Sequence, residues 1–327
     1  MAVFVRRPGP SSFSLERAHS DVVRAMSPEF GMRVEPVPHR TQGFRGVLPN
    51  MIFVRRRAGE VNHVFGDVHY AACALPRART LLTIADCTTL VHRRGLRRAV
   101  LRLLWFTWPI TCSTLVTAIS ESTRQQVLQL TRCHPDKVRV VPLPVSPSFR
   151  FVRKPFSAAQ PIVLQVGTKH NKNVIRVIQA LQGLNCHLRI VGTLSDLQHR
   201  ALERFSVDYS CVSGISNQEM AREYRQSDML VFASTYEGFG LPIVEAQATG
   251  RPVVTSNLCS MPEVAGDAAC FVDPCSVADI RQGIRRVIDD EVYREQLIKM
   301  GNENVTRFQP VAIAKQYARV YEEMMQS

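Results

Sequence analysis

EGFGLPIVEA, Glu237 to Ala246, preceded by the run MLVFAS, Met229 to Ser234, is the stretch that decides the fold. A short apolar run bounded by turn residues reads as a buried strand. Gly238 and Gly240 then let the backbone turn tightly and come close to a ligand. Pro242 fits the first position of a helix, where its missing N–H costs nothing. Strand, glycine turn and helix N-terminus make a phosphate-holding arrangement, because free N–H groups and the positive end of the helix dipole converge on one place. Phe239, Gly240 and Leu241 are placed to offer those N–H groups. Glu237 falls at the carboxyl end of the strand and Glu245 about one turn into the helix. One carboxylate then faces a group beside the phosphate, and the other reaches a sugar hydroxyl. Each has a plainer reading too: Glu237 as a helix cap, Glu245 as an exposed helix acid.

Beyond the turn, the chain continues through GRPVVTSNLCSMPEVAGDAACFVDP, Gly250 to Pro274. The block Glu237–Pro274, with its two glutamates and with Pro262–Ala268 and Val272–Pro274 in register, resembles the donor-site signature of retaining GT-B glycosyltransferases, specifically glycosyltransferase family 4. The resemblance covers the second half of the chain well and the first half in outline. It implies an α/β protein of two Rossmann-like doubly wound domains facing a cleft. The implied activity is transfer of a sugar from a nucleoside-diphosphate sugar to a hydroxyl of a saccharide or lipid-linked acceptor, with retention, as in polysaccharide biosynthesis. By the same resemblance, Glu237 contacts the donor sugar and Glu245 the nucleotide ribose.

A second candidate site is Gly167-Thr168-Lys169-His170-Asn171-Lys172-Asn173, which follows the strand-like run PIVLQV. Thr168 and Asn171 are short donors, and Lys169 and Lys172 are cations for a diphosphate. Two solvated surface lysines are the alternative. In the family this turn carries an Arg after the glycine and a Lys before Gly or Asn. Lys172-Asn173 fits the second part, whereas Thr168 stands where the Arg is expected. A lysine is a point charge and cannot clamp phosphate in a bidentate way. The resemblance also implies a mainly backbone contact to the base near Val212–Ser216, with Ile215 in it. Ser14 and Glu16 resemble the family's first loop, on the acceptor side. His69, after the strand-like VNHVF, is expected at a strand end facing the cleft, with an ordinary structural histidine as the alternative. Many relatives carry His before the Asp of LLTIAD, where this chain has Ala85. That departure, with Thr168, motivates a second reading: a nucleotide-sugar-binding protein with lost or weak turnover. A third is a two-domain α/β enzyme using another phosphorylated ligand, such as a sugar-nucleotide epimerase, and the lack of a GxGxxG turn and the paired-glutamate block count against it. No cluster suggests a metal, and lysines with helix dipoles suffice for a diphosphate, so no cofactor or divalent ion is expected.

At 327 residues the chain exceeds the size at which one core keeps growing. The expected division is 1–148, 149–305 and a C-terminal helix, 306–327, packing back towards the first domain. VPLPVSPSFRFVRKPF, Val141 to Phe156, is the proline-rich linker. In each half short apolar runs alternate with helical patterns, which predicts parallel sheets covered by helices, with ligands at strand carboxyl ends. Val174, Val177, Ile178 and Leu181 share one helical face. Ser14, Ser122 and Ser276 read as helix caps.

Residues 1–155 hold 24 Lys/Arg against 9 Asp/Glu, a net +15, and the remainder 17 against 19, a net −2. Aromatics are 7% and no nucleic-acid-reading motif is present, so no nucleic-acid partner is expected. Nine cysteines without a CxxC pair fit reduced thiols, and the opening MAVFVRRPGP lacks the apolar core of a signal peptide. A cytoplasmic protein is the expectation. The uncharged run Leu103–Ser120 contains Pro109 and several Ser/Thr and reads as a helix end followed by a buried strand, not a span. In His92–Trp105, Leu96, Val100, Leu103 and Leu104 share a face beside crowded arginines, which predicts a peripheral helix on an anionic membrane. An ordinary surface helix is the alternative.

Overall fold

The computed structural model describes residues 1–7, 14–26, 30–40, 45–91 and 93–326, and of these the side chains of residues 14–16 and 91 lie outside the description. The chain forms two compact units. Unit 1 comprises Met1–Pro144 together with Pro310–Ser327, and unit 2 comprises Val145–Gln309.

Among the described residues unit 1 holds six strands: β1 (Ala2–Val5), β2 (Arg33–Pro36), β3 (Asn62–Phe65), β4 (Thr80–Ile84), β5 (Leu115–Ala118) and β6 (Val138–Val140). They lie in the order β2-β1-β3-β4-β5-β6, and every pairing is parallel. Unit 2 holds β7 (Ile162–Val166), β8 (His187–Val191), β9 (Tyr209–Val212), β10 (Met229–Phe232), β11 (Val253–Ser256) and β12 (Cys270–Val272). Their order is β12-β11-β10-β7-β8-β9, again parallel throughout. Central strands such as β1, β4 and β10 are buried along their whole length, as strands covered on both faces must be. The two doubly wound units agree with the expectation from alternating patterns. The breaks between the units lie at 144/145 and 309/310.

Val174, Val177, Ile178 and Leu181 pack with β7, β8 and β10 residues in one core. In unit 1 the C-terminal helix Pro310–Gln326 covers the sheet: Ile313, Ala314, Tyr317, Val320, Tyr321 and Met324 join Val22, Leu81 and Val141 in a core cluster. Ser276 caps its helix, its side chain accepting from Asp279 N–H. The helix Glu121–Thr131 is a correction: Ser120, in an extended conformation, accepts from Thr123 N–H, so Ser120 and not Ser122 is the cap. Ser14 opens the helix Ser14–Ala25 from inside it. All nine cysteines are unbridged. Among the described residues no helix is long and apolar enough to cross a membrane.

Candidate functional site

The order β12-β11-β10-β7-β8-β9 reverses direction between β7 and β10. Chain connections after these two neighbouring strands leave in opposite senses, so a crevice opens outside their carboxyl ends, and ligands bind open α/β sheets there. The turn after β7 is Gly167–Asn173. The turn after β10 is Ser234–Gly240. Both candidate sites from the sequence therefore meet at one topological switch point.

The two turns are locked together. Lys172 Nζ lies 2.7 Å from Glu237 Oε1, with the side chains 17% and 14% exposed. The ammonium sits 4.5 Å from the centroid of the Phe232 ring. Asn171 Nδ2 donates to the Tyr236 carbonyl at 2.9 Å and to Glu237 Oε1 at 3.2 Å, and the Asn171 carbonyl accepts from Thr235 N–H at 2.8 Å. Asn173 takes a left-handed conformation, φ 58°. Its buried Nδ2 donates to the Ala233 and Pro274 carbonyls at 2.9 and 2.7 Å. Gly167, φ 83°, is required twice over. L side chains rarely adopt that conformation, and a Cβ there would meet Lys172 Cε at 3.0 Å and Cγ at 3.2 Å. The lysine stem runs directly over the glycine.

Beyond each turn a helix begins, Val174–Leu181 and Leu241–Ala248, so two positive helix ends flank the Lys172–Glu237 pair. Leu241 is the first helical residue and Pro242 the second. Gly240, φ 111°, makes the entry. Phe239 is buried against Phe308, while Gly238 remains partly exposed. Ser260, wholly buried, sets its Oγ 3.0 Å from the Glu237 carbonyl and 2.7 Å from that of Phe239, with one proton to give to either. It holds the glycine turn shut, and nothing in the sequence marks it.

Glu245 Oε2 accepts from Tyr224 Oη at 2.7 Å. Tyr224 is fully buried, and burial together with the Glu245 charge holds its phenol protonated well above the ordinary range. The donor is therefore fixed as a donor at every ordinary pH, and it aims the carboxylate. This partner too went unread in the sequence.

The remaining candidates divide. Lys169 is exposed. The Thr168 hydroxyl donates to the Thr193 carbonyl at 2.6 Å, so it serves the loop after β8. Ile215 is half-buried between β9 and the helix Asn217–Gln226, which Ser216 and Glu219 close with a capping box. His69, read either as a strand-end residue facing the cleft or as an ordinary structural histidine, is buried inside unit 1, at 4% exposure. Its Nδ1 donates to the Trp105 carbonyl at 2.9 Å, and its ring meets Phe106 edge-on. Burial lowers its pKa, with Asp67 opposing, so it is neutral at pH 7. The side chains of Ser14 and Glu16 lie outside the described residues. Among the described residues no group of three His, Cys, Asp or Glu converges to hold a metal ion.

Residues 149–304 match the family of glycosyl transferases group 1. Over 202 residues the chain is 30% identical to the O-antigen chain mannosyltransferase B of Escherichia coli, which covers 55% of this chain and 53% of that protein. The chain thus spans about half the length of this curated relative. HepE of Anabaena, solved with UDP and glucose, superposes with a TM-score of 0.79 over 99% of this chain and 100% of that one, at 14% identity. WaaG, a glycosyltransferase involved in lipopolysaccharide biosynthesis, superposes with a TM-score of 0.75 over 98% of this chain and 99% of that one, also at 14% identity. At such identities the superpositions speak for the fold, while the signature around Lys172, Glu237 and Glu245 lies inside the matched family region. Unit 2 thus carries a glycosyl transferases group 1 domain over residues 149–304, in a chain whose fold is that of the GT-B glycosyltransferases.

Proposed function

We propose that the protein is a retaining glycosyltransferase that moves a hexose from a nucleoside-diphosphate sugar to a hydroxyl of a saccharide or lipid-linked acceptor. The observation that carries this reading is the Lys172–Glu237 pair at the switch point, 2.7 Å across and flanked by two helix N-termini. A diphosphate leaving group gains negative charge as the sugar departs. An ammonium already fixed in place stabilises that charge without reorganising, which is electrostatic catalysis. Glu237 holds the lysine and faces the sugar, while Glu245, aimed by Tyr224, accepts from ribose hydroxyls. The mannosyltransferase relative from E. coli makes mannose the first sugar to try, and its O-antigen role favours an acceptor in cell-surface polysaccharide assembly. Lys172, exposed Lys169 and the helix ends supply positive charge for the diphosphate, so the reaction runs without a divalent ion.

The test is transfer from a panel of UDP-, GDP-, ADP- and dTDP-hexoses, with the product examined by NMR. The linkage keeps the donor's anomeric configuration, and EDTA leaves the rate unchanged. An inverted product rules out retention; metal-reversible loss of activity rules out metal independence. The second reading, binding without turnover, is favoured by Thr168, whose hydroxyl is spent on Thr193. Donor-dependent thermal stabilisation with neither transfer nor hydrolysis supports it.

Glu245→Ala is expected to weaken donor binding by about 1.5–3 kcal/mol, the cost of a hydrogen bond to a charged group, with turnover of bound donor little changed. Tyr224→Phe, which removes only the aiming hydroxyl, weakens it by about 1 kcal/mol. Calorimetric titration with the accepted nucleotide sugar measures both, and unchanged affinity in Glu245→Ala removes the ribose role.

A further inference from the structure

The helix Gly95–Arg102 buries none of its residues. It runs on through one wide turn, Leu103–Thr107, into Trp108–Thr111. A helix this short has little stability alone and normally depends on packing an apolar face. Here that face is turned outward: Leu96 is 80% exposed, Leu103 55%, Trp108 52% and Val100 42%. At 3.6 residues per turn, Leu96, Val100 and Leu103 fall within roughly 60° of one another. Contact with the core of unit 1 is made by Leu101, Trp105 and Phe106 instead. Trp105 is fixed there, its Nε1–H donating to Asp67 Oδ1 at 2.9 Å. Arg93, Arg94, Arg97, Arg98 and Arg102 are all exposed, and no Asp or Glu occurs between Asp86 and Glu121.

The helix Val47–Arg56 repeats the pattern. Asn50 and Val54 face inward, while Leu48 and Ile52 are exposed beside exposed Arg55 and Arg56. Both helices lean on Tyr70. Asn50 Nδ2 lies 2.7 Å from its hydroxyl, and the Trp105 ring centroid lies 5.3 Å from its ring.

We propose that these two helices of unit 1 dock on an anionic lipid surface, with Leu96, Val100, Leu103 and Trp108 among the acyl chains and the arginines at the headgroup phosphates. This contact stands apart from the donor reading and does not depend on it. Apolar side chains beside long arginine stems suit the boundary between hydrocarbon and charged headgroups. A nucleic acid offers phosphates but no apolar phase for Leu96 and Leu103. A second copy of the same face brings five arginines against five, with no acid between Asp86 and Glu121 to relieve them.

Each arginine near an anionic surface contributes about fivefold in affinity, the equivalent of ~1 kcal/mol. The test uses the full chain with vesicles of phosphatidylglycerol and phosphatidylcholine, against phosphatidylcholine alone. The expected results are cosedimentation with the anionic vesicles at low salt, release at high salt, and a blue shift of tryptophan emission that disappears in Trp108→Phe. Replacing Arg93, Arg94, Arg97 and Arg98 with Gln lowers affinity more than about a hundredfold. Leu96→Ser with Leu103→Ser abolishes the blue shift. All of these side chains are exposed, so circular dichroism should be unchanged. Four outcomes overturn the proposal: no binding at low salt, undiminished binding of the four-arginine variant, equal binding to neutral vesicles, or no change in Trp108 emission. Vesicle-free self-association that Leu96→Ser removes would assign the face to a second copy and overturn it as well.

Discussion

Lys172→Ala is expected to lower kcat by about 10²–10³-fold, the usual cost of removing one preorganised group that stabilises transition-state charge. Donor affinity should fall less, since the diphosphate carries more charge on the leaving oxygen in the transition state than in the bound ground state. The variant also leaves Glu237, 14% exposed, beside an anionic ligand without its ammonium partner. Lys172→Arg keeps a charge, but its stem runs so close over Gly167 that an added Cβ would meet it at 3.0–3.4 Å, and it places a planar group where a compact one fits, so it restores little. Exposed Lys169 supplies the contrast: Lys169→Ala changes kcat only a few-fold. Steady-state rates with the accepted donor, set beside titration calorimetry for its affinity, separate the two effects. Equal losses in kcat and affinity would reduce Lys172 to a binding residue.

Lys172 also shows where a sequence stops speaking. The turn after PIVLQV and the turn after MLVFAS are each legible alone, because apolar strand, glycine and helix start have local signatures. Their pairing is not. Residues 172 and 237 come together because β10 pairs with β7 rather than with its sequence predecessor β9. Strand order is a global property, and no local pattern encodes it. Read along the chain, Lys172 and Glu237 have separate tasks; in the fold they form one ion pair. Tyr224 and Ser260 escaped for the same reason. Their partners, Glu245 and the Glu237–Phe239 turn, lie 21 or more residues away.

Positions near helix starts are ambiguous for a different reason. Ser120 and Ser122 both precede the same amphipathic run, and only the extended backbone at Ser120 selects the cap. His69 follows a strand, which leaves a cleft-facing role and an ordinary structural one both open. The chain enters a short helical segment, His69–Ala74, and turns the ring inward onto the Trp105 carbonyl. By contrast, the helical face Val174, Val177, Ile178 and Leu181 and the Ser276 cap were readable, since both rest on spacing within one element.

The C-terminal helix gives the largest expected loss of stability. Tyr321 is 1% exposed and stacks on Tyr317. Its hydroxyl lies 2.8 Å from His63 Nδ1, while His63 Nε2 lies 2.7 Å from Thr83 Oγ1, itself 2.6 Å from Thr117 Oγ1. A helix distant in sequence is thus tied into β3, β4 and β5 by one buried chain of hydrogen bonds. Tyr321→Ala removes ring and hydroxyl together and is expected to destabilise unit 1 by about 3–5 kcal/mol. Tyr321→Phe keeps the packing, leaves His63 short of a partner and costs about 1–3 kcal/mol. The network has a pH signature as well. Burial pushes His19 down to about 4 and His63 well below its ordinary value, with His19 adding to the effect on His63. The folded state therefore stays neutral at both rings while the unfolded chain takes up protons below about pH 6.5. Protons bind the unfolded state more, so stability falls as pH drops from 6.5 towards 4, by up to ~1.4 kcal/mol per pH unit for each ring. Urea unfolding of the full chain between pH 7.5 and 4.5, followed by hydrogen exchange at the β3 and β4 amides, reads both effects. A Tyr321→Ala chain with unchanged protection there would show that the buried chain of hydrogen bonds does not hold the C-terminal helix to the sheet, and wild-type stability flat across that range would show that the two rings are not kept neutral by burial.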